Sequence, residues 1–301
     1  MTPRKKDSRM RVFDCRARPS LKDYMTFFDS AGGKYTMKQF GYPVAPVLTL
    51  ERFVAHMDEA GVGQFVFTGR DVTSRRGWKF PNEQIGEAVQ RYPDRIIGFA
   101  GIDPLKRREA MREIDRCVRD FRLRGVSLDP SGVGQQANHP LFYPVYERCV
   151  EHNIPVAITL GPLPSPTAGP MRVNDPMAVD DVACDFPDLT IIMSHLGYPW
   201  VTQAIAIAWR HPNVYLETSM YSYMPGAELF VEAANTHIGD KVIFASGYPF
   251  NHPVKNVIEE FRKLPYKPDV LEKVMYRNGP RALGLELPTS ATAFEKEGAA
   301  R

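Results

Sequence analysis

The chain is poor in the features that would commit it to a redox, secreted or membrane-bound role. Its four cysteines, at positions 15, 117, 149 and 184, form no CxxC pair and are too sparse in 301 residues for a disulfide scaffold. Three of them fall in apolar periodic stretches, so reduced core residues are expected. No stretch reaches the ~18 consecutive apolar residues needed to cross a bilayer, which argues against a membrane partner. The opening Met1–Met10 is polar and basic with no apolar run behind it. An export signal is therefore not expected, and the cytoplasm is the expected location. Charge of one sign is also scarce: 38 basic against 35 acidic residues leave a net +3, dispersed except in the leader "PRKKDSRMR". No nucleic-acid partner follows from that. No short-period repeat and no low-complexity segment interrupts the chain, and no Gly-rich dinucleotide turn follows any apolar run.

What is present is a rhythm. Eight short apolar runs recur: "RVFDC" (11–15), "QFVF" (64–67), "IIGFA" (96–100), "GVSL" (125–128), "PVAITL" (155–160), "TIIMS" (190–194), "NVYLE" (213–217) and "KVIFA" (241–245). Runs this rich in Val, Ile and Phe suit strands buried on both faces of a parallel sheet. Between them the period lengthens. Ala110, Ile114, Cys117, Val118 and Phe121 share one face of "REAMREIDRCVRDF", and "HPLFYPVYERCVEHN" repeats the pattern. Alternating strands and helices with eight strands predict an α/β fold, a closed (β/α)₈ TIM barrel, ahead of an open doubly wound sheet. The expected organisation is a flexible basic leader (1–9), a barrel (10–287) and a C-terminal tail (288–301), loose or an interaction arm.

Two longer regions break the rhythm. Residues 20–46, with six Phe or Tyr, follow the first run, and "GPLPSPTAGPMRVNDP" (161–176) follows the fifth. Loops after barrel strands build the active face, so both are candidate lids or substrate walls. For the first, a subunit contact in a homo-oligomer is the competing reading.

Several strand-end phrases, in order along the chain, carry a resemblance: "IIGFAGIDP" (96–104), "FPDLTIIMSHLGYPW" (186–200), "HPNVYLETS" (211–219), "VIFASGYPF" (242–250) and "YRNGPRALGL" (276–285). Together they resemble the amidohydrolase-related family, the amidohydrolase-2 branch of the metal-dependent hydrolase superfamily, which includes decarboxylases of resorcylate and aminocarboxymuconate semialdehyde and a pyrone dicarboxylate lactonase. The resemblance implies an amidohydrolase-like barrel. It also implies a divalent ion held by His-x-His after strand one, a His after strand five, a His after strand six and an Asp after strand eight.

This sequence departs from that set. Arg16 and Arg18 stand at the strand-one positions, Thr159 at strand five and Gly247 at strand eight; His195 alone remains. One imidazole does not hold a catalytic zinc, and a guanidinium, protonated to about pH 12 or above, has no lone pair to give. No metal and no other cofactor is expected.

The candidate residues follow. Arg16 and Arg18 are a fork for a substrate anion, or else partners of an internal carboxylate such as Asp14, Asp71 or Glu217. His195 is a candidate acid or base, and Asp129 in "GVSLDP" a second one, with an Asx-turn before Pro130 as its plainer role. Tyr248, at a position matching the family, is a candidate hydrogen-bond donor. Arg70, Thr159, Ser246 and His252 are candidate substrate contacts. The expected function is a metal-independent hydrolase or carbon–carbon lyase such as a decarboxylase, acting on a small anionic organic substrate: a carboxylate, lactone or aromatic acid. The alternative is a non-catalytic barrel that serves as a ligand-binding or partner subunit.

Overall fold

The eight apolar runs become eight parallel strands, hydrogen-bonded in chain order: β1 (Val12–Ala17), β2 (Val62–Thr68), β3 (Ile96–Gly101), β4 (Val126–Leu128), β5 (Val156–Ile158), β6 (Ile191–Met193), β7 (Val214–Glu217) and β8 (Val242–Ile243). The structure is a computed structural model, and it describes residues 11–165 and 168–286. The expectations for the leader (1–9) and the tail (288–301) lie outside the described residues. The ring closes where the Cys15 amide donates to Phe244 O (2.9 Å) and the Gly247 amide to Arg16 O (3.2 Å). The fold is a (β/α)₈ TIM barrel.

Each strand feeds a crossover helix: α1 (Leu50–Glu59), α2 (Asn82–Arg91), α3 (Arg108–Phe121), α4 (Tyr143–Glu151), α5 (Met177–Asp185), α6 (Val201–Arg210), α7 (Glu228–Ala233) and, after β8, α8 (Val254–Phe261). Alternation along the strands divides the core. Phe13, Val66, Ile97, Ala157, Ile192 and Ile243 fill the inside, while Phe65, Val126, Val156, Ile191 and Val214 meet the helices. The stripe expected on α3 is the face it buries, with Ala110, Ile114 and Cys117 inside. Ile114 is fully buried, so truncating it to Ala costs about 2–5 kcal/mol.

Strands β5 and β8 are shorter than their apolar runs. After Ile243 the Phe244 amide turns to Val274 O and the Ala245 amide to Thr218 Oγ1, so the β7–β8 ladder ends there. The region 20–46, irregular in sequence, contains a helix over Ala31–Phe40. Ser30 caps it by accepting from the Gly33 amide, and Gly33 lies so close to Phe27 that a Cβ would sit 2.2 Å from its carbonyl oxygen. Gly33, which reads as loop, is thus a packing requirement. Among the cysteines, Cys15, Cys117 and Cys149 are buried, but Cys184, on α5, is exposed. No helix among the described residues is long and apolar enough to cross a membrane.

Candidate active site

The strand ends converge on a cavity with about 580 Å³ of free space, part of it open to solvent. Its wall takes Arg16 and Arg18 from β1 and its extension, Arg70 from β2, Asp129 from β4, Thr159 from β5 and His195 from β6. Both long loops contribute to it: Phe40 from the first, Leu163 and Asn174 from the second.

The two strand-one arginines have different environments. Arg16, 3% exposed, reaches across the mouth, donating from Nη1 to Ser194 Oγ (2.7 Å) and from Nη2 to Thr159 Oγ1 (3.0 Å), with Nε 4.0 Å from Glu217 Oε2. Burial, and then the neighbouring Arg18 cation, lower its pKa to about 10, so it stays charged at neutral pH. Arg18, 6% exposed, has no side-chain hydrogen bond and no carboxylate partner among the described residues; its Nε is buried and unsatisfied. Its guanidinium carbon lies 6.0 Å from the Phe250 ring centroid. The internal-carboxylate reading therefore applies to Arg16, through Glu217, and not to Arg18.

The other carboxylates are engaged elsewhere. Asp71 pairs with Lys106 (2.7 Å). Asp14, fully buried, accepts through Oδ1 from the amides of Arg16 (3.1 Å) and Ser246 (2.9 Å). Burial pushes its carboxyl up to about 6 in spite of those bonds. A register irregularity between Asp14 and Ala17 interrupts the strict alternation expected along β1.

Arg70 and Asp129 form a closed pair: Arg70 Nε donates to Asp129 Oδ2 (2.7 Å), and Nη2 also contacts that oxygen. Asp129 Oδ1 accepts from Ser131 Oγ (2.9 Å) and the Gly132 amide (2.8 Å), which caps the turn Pro130–Val133. Burial alone would raise this carboxyl, but the Arg70 charge and these donors hold it well below the usual range. The Asx-type turn expected as its plainer role is present.

His195 occupies a left-handed backbone position (φ 61°), followed by Leu196 (φ 56°), a conformation that costs a non-glycine residue about 1–3 kcal/mol. Its Nδ1 lies 3.2 Å from Ser219 O and 2.7 Å from Ser219 Oγ. The carbonyl can only accept whereas the hydroxyl can accept or donate, so a proton on Nδ1 is the arrangement that suits both contacts and leaves the lone pair on Nε2. Burial and then the charges of Arg16 and Arg18 lower its pKa well below the usual value, which keeps the ring neutral.

Three sequence candidates are committed elsewhere. Tyr248 touches the cavity, but its hydroxyl donates to Ser20 Oγ (2.9 Å) and its ring packs on Phe53 and His56. Ser246 is fully buried behind the wall, its Oγ accepting from the Tyr248 amide. His252 bonds Pro43 O (2.6 Å) on the first long loop, outside the cavity lining. Sequence reasoning missed Asn174 and Tyr221; only their place in loops after strands five and seven pointed to them.

The donor set does not fit the family's divalent ion. Among the described residues, the only three His, Cys, Asp or Glu side chains within ligand reach of one another are Asp180 and Cys184 on α5 and His211 just after α6. There Asp180 already takes Arg210 (3.0 and 3.1 Å) and His211 (2.7 Å). At the mouth, the Arg16 cation is bonded to Thr159 and Ser194. Gly247 has φ 71°, and a Cβ there would lie 2.8 Å from Met220 Sδ. A carboxylate at 247 therefore requires both a disfavoured backbone and a displaced Met220.

Comparison with known proteins agrees with the architecture. The family model described as Amidohydrolase matches residues 13–285. A TIM-barrel protein of Bordetella bronchiseptica is 31% identical, with a TM-score of 0.80, over 91% of this chain and 98% of that one. The 5-carboxyvanillate decarboxylase of Novosphingobium aromaticivorans, solved with manganese and 4-hydroxy-3-methoxy-5-nitrobenzoic acid, is 17% identical with a TM-score of 0.69, over 93% and 97%. A 2-keto-4-carboxy-3-hexenedioate hydratase of Sphingobium is 26% identical over 50% of this chain and 53% of its own length. The chain thus spans about half the length of that curated relative. With matching strand-end phrases, an eight-stranded barrel and a family match from Phe13 to Leu285, the chain belongs to the amidohydrolase family.

Proposed function

We propose that the protein is an enzyme of the hydrolase or carboxy-lyase type that acts on a small organic carboxylate without the family's divalent ion. The observation that carries this reading is Arg18: a buried cation on the cavity wall with no anion beside it among the described residues. Leaving a charge buried and unpaired costs several kcal/mol, and a bound carboxylate removes that cost. The mostly apolar wall, with Phe40, Leu163 and Phe250, suits a flat organic body.

The residues divide the work. Arg18 anchors a carboxylate through charge-assisted hydrogen bonds. Arg16, fixed by Thr159, Ser194 and Glu217, keeps donors beyond those already used and supplies a preorganised positive charge for an oxyanion developing in the mouth. His195, neutral with its Nε2 lone pair, takes a proton. Once the ligand anion offsets Arg18, the field that opposes protonation of His195 weakens, so binding strengthens the base. Asp129 acts through Arg70, whose orientation it holds.

One observation favours the alternative of a non-catalytic binding barrel: Asp129, the single carboxylate on the wall among the described residues, is fully engaged by Arg70, Ser131 and Gly132. The test is titration with benzoate-type and unsaturated carboxylates, beside turnover assays and metal analysis of the purified protein. Carboxylates are expected to bind and turn over at substoichiometric metal. Stoichiometric zinc or manganese whose chelation abolishes binding would refute metal independence. Binding without turnover across the panel would favour the non-catalytic barrel.

A further inference from the structure

Glu217 closes β7 and is 1% exposed, and it does not line the cavity. Its two carboxylate oxygens nevertheless face two different parts of the site. Oε1 accepts from the Ser219 amide at 2.8 Å. Oε2 lies 4.0 Å from Arg16 Nε and makes no hydrogen bond. A buried carboxylate is costly unless donors or a cation compensate it, so this placement on the strand behind the wall calls for a reason.

The first contact bears on His195. Ser219, fully buried, presents its carbonyl (3.2 Å) and its hydroxyl (2.7 Å) to His195 Nδ1, and the carbonyl also accepts from the Tyr221 amide at 3.0 Å. Met220 follows at φ 75°, a backbone position disfavoured for a non-glycine residue, so the chain does not hold this bend by local preference. The bond from the Ser219 amide to Glu217 ties the bend to the end of β7. What holds Ser219 therefore also selects which nitrogen of His195 carries the proton.

The second contact bears on Arg16. Thr159 and Ser194 hold its terminal nitrogens through neutral hydroxyls, and Glu217 is the carboxylate that faces its Nε. Burial and then Arg18 oppose the Arg16 charge, and Glu217 is the largest influence in its favour.

We infer that Glu217 is a positioning residue for both working groups, its Oε1 fixing the Ser219 contacts that orient His195 and its Oε2 aligning the Arg16 guanidinium. This deepens the reading proposed above, in which Arg16 meets a developing oxyanion and His195 takes a proton. A single carboxylate behind the wall then sets the relative placement of a cation from β1 and a base from β6, which act together only when both are aligned.

Glutamine separates the two roles. Its amide keeps an oxygen for the Ser219 N–H but turns an NH₂ donor toward the Arg16 Nε donor, whereas methionine fills similar space and serves neither. The experiment is NMR of nitrogen-labelled wild type, Glu217→Gln and Glu217→Met, with melting curves as the folding control. It reads the His195 ring nitrogens and solvent exchange of the Arg16 Nε–H, assigned by their loss in His195→Gln and Arg16→Lys. Wild type is expected to show His195 protonated on Nδ1. Glu217→Gln should keep that tautomer while the Arg16 Nε–H exchanges about tenfold faster or more. Glu217→Met should show the faster exchange together with a mixture of His195 tautomers.

A purely structural role would lower the melting temperature and leave the tautomer unchanged in both variants. Any pairing in Glu217→Gln other than retained tautomer with faster exchange overturns the inference, whether or not Glu217→Met folds. So does a single Nδ1 tautomer in folded Glu217→Met. These signals need no bound ligand, and benzoate titration of wild type tests the carboxylate reading separately. No benzoate binding with the split intact refutes that reading and supports the positioning role; benzoate binding without the split does the reverse.

Discussion

The two sides of the barrel mouth solve the same electrostatic problem differently. On the β2–β4 side, Arg70 is buried against Asp129 Oδ2, while the other oxygen accepts from Ser131 and Gly132. On the β1 side, Arg18 is equally buried, 6% exposed as Arg70 is, yet meets an aromatic ring and open cavity instead of a carboxylate. Arg16 lies between these extremes, with two hydroxyls in contact and Glu217 at 4.0 Å. Burial of an arginine therefore does not identify a ligand site; what matters is whether the protein has already supplied the counter-charge.

Substitutions can break that comparison. The largest effect is expected for Arg70→Ala, which strands a buried Asp129 carboxylate and should cost about 3–5 kcal/mol of stability in chemical denaturation. Asp129→Asn in the same background should recover part of it; no loss in Arg70→Ala would show that the pair is not closed in solution.

Asp14 offers the next contrast, a buried carboxylate bonded to amides rather than to a cation. Its folded pKa, about 6, lies above the unfolded value near 4, so the folded state binds the proton more tightly. Stability is fully present below about pH 4 and is lost as pH rises through about 6. Asp14→Asn never ionises and should be more stable than wild type by about 3 kcal/mol at pH 8, with little difference at pH 4. Parallel melting-temperature curves for the two proteins across that range would count against the shift.

Arg18→Gln should weaken carboxylate binding by about 30-fold or more, measured by titration, while leaving stability unchanged or higher. That is the opposite of Arg70→Ala, and similar destabilisation by both would erase the distinction between the two sides. The smallest effect is expected for Thr159→Val. It removes one acceptor from the Arg16 guanidinium and should cost about 1.5 kcal/mol, read as a lower denaturation midpoint.

The strands were legible because their signal is local. Val and Ile runs buried on both faces need no knowledge of distant residues, and the stripe Ala110, Ile114, Cys117 declares its own helix. The helix Ala31–Phe40 was not legible, since its two glycines read as loop until the backbone of Phe27 and Phe28 is packed against Gly33. The departures at positions 16, 18, 159 and 247 were visible by comparison with the family phrases, but their consequence was not. Ser194 and Thr159 lie 178 and 143 residues from Arg16, and Asp129 lies 59 from Arg70.

The sequence by itself determined the barrel, its order of strands and helices, and the departure at positions 16, 18, 159 and 247 from the family's set of three imidazoles and a carboxylate. Periodicity and residue chemistry act over a few positions and survive without coordinates. Only the tertiary structure decided which arginine is already satisfied, that His195 is kept neutral, and that Arg18 lines the cavity with no carboxylate partner among the described residues. Pairing and desolvation depend on which atoms from distant strands meet, and closure of the barrel brings them together.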